Sequence, residues 1–308
     1  MGGRLQPLVL ALKGMAMGAA DVIPGVSGGT IAFISGIYET LLASIRGINL
    51  NTIRLLIKGD IKGCWKAING NFLLPLLAGI GASILGLSKL VLMLLEKFPE
   101  MLWSFFFGLI IASSLFVAGK VQQWNARTVI SVIIGSIVAF VITSITPAET
   151  PDALWFIFLS GCLAICAMIL PGISGSFILL LLGKYQYILS AVTNMNLMVV
   201  LVFAAGCVTG LTSFARLLSW MFRKQHDVTV AVLTGFMIGS LNKVWPWKVT
   251  TEFFTDRHGE LQPLIQKNVL PGSYPDEPYL LFSILLCIAG FALVMLLERL
   301  SVRNTRNL

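Results

Sequence analysis

Residues 18–36, GAADVIPGVSGGTIAFISG, set an aspartate, a proline and five glycines inside an otherwise apolar stretch, and residues 168–183, MILPGISGSFILLLLG, do nearly the same again. Proline has no amide hydrogen and its ring clashes with the preceding turn, so a helix entering the first stretch is expected to end near Ile23. Gly25, Gly28 and Gly29 permit dihedrals that are costly for other residues. Ser27 or Thr30 can then cap a new helix whose first amides point into the break. Pro171-Gly172-Ile173-Ser174-Gly175-Ser176 repeats the arrangement. Freed backbone groups are not tolerated against lipid and survive only where protein buries them or water reaches them.

Lipid is the expected surroundings, because the 308 residues are 56% hydrophobic and only 12% charged. Several windows reach the roughly 20 apolar residues of a helical span. Eight apolar units can be read: 7–45 and 153–192, both long and broken, and 71–95, 101–119, 127–145, 197–221, 228–245 and 279–298. Lys13 interrupts the opening run and no cleavage site follows, so these residues are expected to stay in the mature chain. The five cysteines read as small packing residues, and His226 and His258 fall in connections, so neither a metal site nor a catalytic residue is expected.

Sliding the chain by 147 positions aligns 20–50 with 167–197 without a gap, with 11 of 31 positions identical, including Gly36/Gly183, Tyr38/Tyr185 and Asn49/Asn196. An offset of 127 then pairs Gly79 with Gly206, Lys89 with Arg216, Gly108 with Gly235 and Ser113 with Ser240. Two repeats are expected, 1–146 and 147–308. If each broken unit enters and leaves on one side, three spans separate the two units and the repeats are inverted. The positive-inside rule agrees: 13 lysines and arginines fall on the side of both termini, against four on the other side, which takes nine of the 14 acids. The expected fold is an all-α polytopic membrane protein of two inverted repeats, each a broken re-entrant helical hairpin plus three transmembrane helices. Trp245 and Trp247 are expected to form an aromatic belt on the outer side.

Two opposed helix starts with small hydroxyl residues suit an anion. Ser27, Gly28, Gly29, Thr30, Ser174, Gly175 and Ser176 are therefore candidate phosphate contacts. Lys13, Lys89, Lys184, Arg216 and Lys243 lie within apolar units, where each charge needs a partner, water or a task. Lys89 and Arg216 join the candidate site because the repeat makes them equivalent; Lys243 reads as an end residue that snorkels. Asp21 and Glu39, opposite Met168 and Gln186, could carry coupling protons or sodium, or simply pair with internal cations. In residues 50–68, Arg54, Lys58, Lys62 and Lys66 recur every fourth residue one place after Ile53, Ile57, Ile61 and Trp65. That pattern predicts a basic amphipathic helix on the cytoplasmic leaflet, in contact with anionic lipids.

GAADVIPGVSGGTIAFISGIYETLL, the second PGISGSFILLLLGKYQYIL and the later GFMIGSLNKVWPWK resemble a bacterial membrane family associated with polyprenyl-phosphate transport, chiefly of undecaprenyl phosphate. The resemblance spans the whole chain and implies the bacterial inner (cytoplasmic) membrane, cytoplasmic termini, and recycling of the lipid carrier from the outer to the cytoplasmic leaflet. It implies motif positions at Asp21, Pro24, Gly25, Ser27, Gly28, Gly29, Thr30, Glu39, Pro171, Gly172, Ser174 and Gly175. A channel or porter for phosphate or another soluble anion shares the broken-helix logic and stays open. An enzyme on lipid phosphates would need a nucleophile or metal set that is not found. No cofactor and no nucleic-acid partner are expected, and a homodimer is left open.

Overall fold

In the computed structural model, which describes residues 2–22, 26–148, 150–255 and 261–306, helix α1 (Gly2–Val22) stops before the first break and α2 (Gly28–Ile34) starts after it. Pro24 and Gly25, on which the sequence places that break, lie outside the described residues. Ser27 is extended, and its Oγ accepts from the Gly29 amide, which starts α2. Seven residues later Gly36, at φ +73°, turns the chain, and α3 (Tyr38–Arg46) leaves at 116° to α2. The second copy runs α10 (Leu154–Ile169), α11 (Gly175–Leu181) and α12 (Tyr185–Thr193), with Gly172 at φ +97°, Gly183 at φ +62° and a final bend of 108°. Each broken unit is thus three helical pieces, its second limb bent again at the glycine pair Gly36/Gly183.

Between the copies lie α4 (Leu50–Ile57), α5 (Ile61–Ala67), α6 (Gly70–Gly86), α7 (Ser88–Lys97), α8 (Pro99–Ala118) and α9 (Ala126–Ser144). After them come α13 (Leu197–Lys224), α14 (His226–Ser240) and α15 (Leu280–Arg306). Helices α8, α9 and α13 are each long and apolar enough to cross a bilayer, and the bent pairs and shorter apolar helices supply the other units of a multi-pass membrane protein. The single amphipathic helix expected over 50–68 is two, because Gly59 adopts φ +76° and Asp60 caps the Gly63 amide to begin α5. Likewise the expected span 71–95 divides at Leu87 into α6 and α7. The connection 246–278 holds an antiparallel pair, β1 (Lys248–Thr255) and β2 (Leu261–Asn268), with Val249 opposite Lys267, whereas the all-α reading of the sequence assigned it no strand. Its opening KVTTEFFT is rich in the β-branched and aromatic residues that suit a strand.

The helices meet at glycines. Gly14 and Gly79 press α1 and α6 together against the carbonyls of Leu76 and Ala11, and Gly161 and Gly206 press α10 and α13 against those of Phe203 and Phe158. Gly108 of α8 meets Cys287 of α15, and Gly235 of α14 meets Val132 of α9. A Cβ at any of these would overlap a backbone oxygen, the close approach that small residues allow between membrane helices. The contacts repeat at the sequence offsets: 147 carries Ala11 and Gly14 to Phe158 and Gly161, and 127 carries Leu76, Gly79 and Gly108 to Phe203, Gly206 and Gly235. The centre of the bundle is α2, buried from Gly28 to Ile34 apart from part of Ile31 and packed by α1, α3, α8, α10 and α15. By contrast, Phe177 is the one buried residue among those of α11.

Candidate functional site

The two tips meet, and the first copy satisfies the second. Where α10 ends, its last carbonyls have no partners inside the helix. Ser27 Oγ donates to the Met168 carbonyl at 3.0 Å and Tyr38 Oη donates to that of Ile169 at 3.1 Å. The Gly172 amide, just past the break, donates to Thr30 Oγ1 at 3.1 Å. Gly29 lies so close to the same strip that a Cβ there would sit 2.6 Å from the Ile169 oxygen. Ser27, Gly28, Gly29, Thr30 and Ser174 are all buried, while Gly175 and Ser176 are half-buried. Tyr38 was not singled out as a site residue from sequence; the signal available was its identity with Tyr185 across the repeat.

The two tips are not equivalent in charge. At the first, Asp21 Oδ1 accepts from the Gly28 amide at 2.7 Å, Ser27 Oγ accepts from Gly29, and the Ser27 carbonyl accepts from Thr30. The start of α2 is therefore closed by the chain's own carboxylate. At the second, Met168 stands in place of the acid. Ser174 Oγ accepts from the Phe177 amide and shares a hydrogen bond with Ser176 Oγ at 3.1 Å. Among the described residues, the amides of Gly175 and Ser176 have no acceptor.

The charged candidates divide. Lys13 Nζ donates to the Ser35 carbonyl at the end of α2, at 2.7 Å. Lys184, almost fully buried, bonds Asp152 at 2.5 Å and the Thr150 carbonyl at 2.6 Å, so it is a structural pair. Lys89, near the start of α7, and Arg216, on α13, are exposed on the outside of the bundle; among the described residues neither bonds a tip. Glu39 is also exposed and lines a cavity of about 170 Å³ with Arg46 and Arg223, away from Asp21. Lys243 turns inward and sets its ammonium 4.5 Å from the centre of the Phe177 ring, in the first turn of α11, instead of snorkelling out. The expected aromatic belt is likewise drawn inward: Trp245 Nε1 donates to the Val269 carbonyl and Trp247 Nε1 to that of Pro278, both at 2.9 Å. An indole N–H that can reach a backbone oxygen of the connection is held there.

With this geometry in place, comparison with known proteins is informative. A family described as undecaprenyl phosphate translocase-like matches residues 17–262. A polyprenyl-phosphate transporter of Vibrio cholerae serotype O1 is 46% identical over 302 residues, covering 97% of this chain and 98% of the relative. A polyprenyl-phosphate transporter of Staphylococcus aureus is 31% identical over 253 residues, covering 76% of this chain and 85% of the relative. No solved structure matches the chain.

Proposed function

The chain belongs to the undecaprenyl phosphate translocase-like family, and on that premise we propose that it carries undecaprenyl phosphate, or a related polyprenyl phosphate, from the outer to the cytoplasmic leaflet of the bacterial inner membrane. The observation that carries this reading is the inequality of the two interlocked tips. In the first, Asp21 supplies the negative charge that the start of a helix favours. In the second, that place is taken by Met168, and among the described residues the amides of Gly175 and Ser176 have no acceptor beside the hydroxyls of Ser174 and Ser176. A lipid phosphate supplies there the charge that the chain supplies to its first copy. Ser27, Gly29 and Thr30 hold the second tip in position from across the interface, Gly28 holds Asp21 at the first, and Lys89 and Arg216, exposed at matched positions, meet the phosphate on the outside of the bundle.

The duplicated glycine contacts support a two-repeat architecture, and the units between the broken segments support an inverted one. Inversion offers equivalent routes to the two leaflets. In this scheme α4 and α5 rest on anionic lipids through Arg54, Lys58, Lys62 and Lys66, all exposed beside exposed Leu56, Ile57, Ile61 and Trp65. Protons or sodium drive the cycle, with Glu39 the better carrier, because the Asp21 carboxylate already serves the Gly28 amide. The test is leaflet-resolved accessibility of labelled undecaprenyl phosphate in proteoliposomes, with and without ion gradients. Movement of the label that depends on the protein is expected; no acceleration over empty vesicles, with or without gradients, rejects the reading.

A further inference from the structure

A cavity of about 230 Å³ opens between the end of α9, α11, the segment after α14 and β2. Three lysines line it, Lys243, Lys248 and Lys267, and among the described residues no carboxylate does. Lys248 Nζ donates to the Lys243 carbonyl at 2.6 Å and lies 3.6 Å from the centre of the Trp103 ring. Lys243 has the Phe177 face already described. Among the described residues the only ion pairs are Lys184–Asp152 and His226–Asp227, so within that set none of the cavity lysines pairs with a carboxylate. Aromatic faces and a carbonyl ease the loss of water around an ammonium but supply no counter-charge. Burial, and secondarily the charge of Lys243, hold Lys248 well below the usual lysine range.

The polar wall opposite is already ordered. Asn242 Nδ2 donates to Thr143 Oγ1 at 3.1 Å and to Ser144 Oγ at 3.2 Å, and Asn268 Nδ2 donates to Asn242 Oδ1 at 2.9 Å. Two lysines with no carboxylate beside them among the described lining residues, and a fixed hydrogen-bonding wall, select for an anion. The volume admits a phosphoryl group with some water, at about 30 Å³ per water molecule, and leaves no room for a polyprenyl tail. Since Phe177 follows Ser176 directly, the cavity adjoins the second tip.

We infer that this cavity is a second binding site for a phosphate-type oxyanion, in which Lys243 and Lys248 hold the group next to the α11 tip. Its assignment to a lipid headgroup rests on the transport reading above; the oxyanion chemistry itself does not. The anion sits between the two amino groups and favours their charged forms, while the tail of a lipid ligand stays outside among the membrane lipids.

The test is equilibrium binding to the purified full-length protein in detergent, with undecaprenyl phosphate, undecaprenol and inorganic phosphate as probes. Undecaprenyl phosphate or inorganic phosphate is expected to bind, undecaprenol not. Lys243→Gln with Lys248→Gln is expected to weaken binding at least tenfold, and Lys243→Arg to leave it within a few-fold. Competition by inorganic phosphate assigns the cavity to the free anion as well; lipid binding that inorganic phosphate does not displace assigns it to the headgroup. A folded double variant that binds either probe as the wild type does overturns the inference. Should the double variant not be recovered folded, Lys243→Gln alone decides the same way. Wild-type transport with unchanged binding in the variants removes the cavity and leaves the transport reading. Lysine-dependent binding of inorganic phosphate without transport of the lipid does the reverse.

Discussion

Lys13 and Asp21, about two turns apart on α1, hold opposite ends of α2: Asp21 Oδ1 accepts from the Gly28 amide and Lys13 Nζ donates to the Ser35 carbonyl, each at 2.7 Å. Since α2 runs back along α1, the acid meets the amide end and the cation the carbonyl end, the charges that a helix favours at each. The fit is metric as well. The interval from Lys13 to Asp21 rises about 12 Å along α1, and seven residues of α2 rise about 10 Å. The equivalent places in the second copy are Ser160 and Met168, so α11 has neither charge.

Removing the acid should therefore show first as lost stability. Asp21→Ala leaves the Gly28 amide without an acceptor inside the protein, at a cost of about 1–3 kcal/mol. Asp21→Asn keeps an acceptor and should recover most of that. Melting of the purified protein in detergent checks the order wild type, Asn, Ala. Transport by Asp21→Asn should still depend on a pH gradient; loss of that dependence would make Asp21 the coupling group.

The glycine contacts predict a position-specific series. Gly79→Ala and Gly206→Ala each push a Cβ into a facing carbonyl, of Ala11 and Phe158, and should destabilise to a similar degree. Gly81→Ala, on the same helix as Gly79, meets nothing within 4 Å. There the gain in helix propensity, about 1 kcal/mol, should leave the protein as stable or more so. Gly29→Ala, 2.6 Å from the Ile169 oxygen, should part the tips and lower transport while the outer helix pairs hold. Melting and transport measured on the four variants separate these outcomes. Equal tolerance at Gly79 and Gly81 would remove the packing argument.

Much of this was legible because it is written locally. The breaks follow from Pro171 and the glycine spacing, and the repeat could be read from residues that generic apolar sequence does not match by accident. What the sequence hides is long-range partnership. The Ser27–Met168 and Thr30–Gly172 bonds join residues 141 and 142 positions apart, which no local periodicity encodes. Lys243 misleads for the same reason: a lysine just beyond a helix end reads as a snorkelling residue until Phe177 of α11, distant in sequence within the same repeat, is seen beside it. Gly59 was visible, but a four-residue recurrence on both sides of it reads through a glycine whose left-handed backbone divides the helix.

The connection between β2 and α15 is fastened to α8 by the Tyr274 hydroxyl, which donates to the Glu100 carboxylate. Glu100 is only 5% exposed, so Tyr274→Phe strips a donor from a buried acid, a loss of about 1–3 kcal/mol. Burial, then the bond to Glu100 and its charge, push the Tyr274 phenol well above the usual tyrosine range. A raised pKa means that the folded state keeps its proton longer than the unfolded one. The stabilisation is then complete below about pH 10, the ordinary phenol value, and is lost as pH rises beyond it. Melting temperature against pH should fall on the alkaline side more steeply in the wild type than in Tyr274→Phe. Parallel curves would show that the phenol does not contribute.

Lys89 and Arg216 offer a test that separates transport from folding. Both are exposed at matched positions, and among the described residues neither has a hydrogen bond or an ion pair. Removing an unpartnered cation orphans no other group, and an uncompensated charge near the bilayer centre costs on the order of 3 kcal/mol on insertion scales. Lys89→Gln and Arg216→Gln should therefore melt at or above the wild-type temperature. If the two cations meet the phosphate, each variant should nonetheless move undecaprenyl phosphate at least tenfold more slowly in proteoliposomes, and Arg216→Lys should retain more activity than Arg216→Gln. Stability lost together with transport would mark a structural role instead. Unchanged transport in both Gln variants would remove these residues from the site and leave the phosphate to the α11 tip and the Lys243–Lys248 cavity.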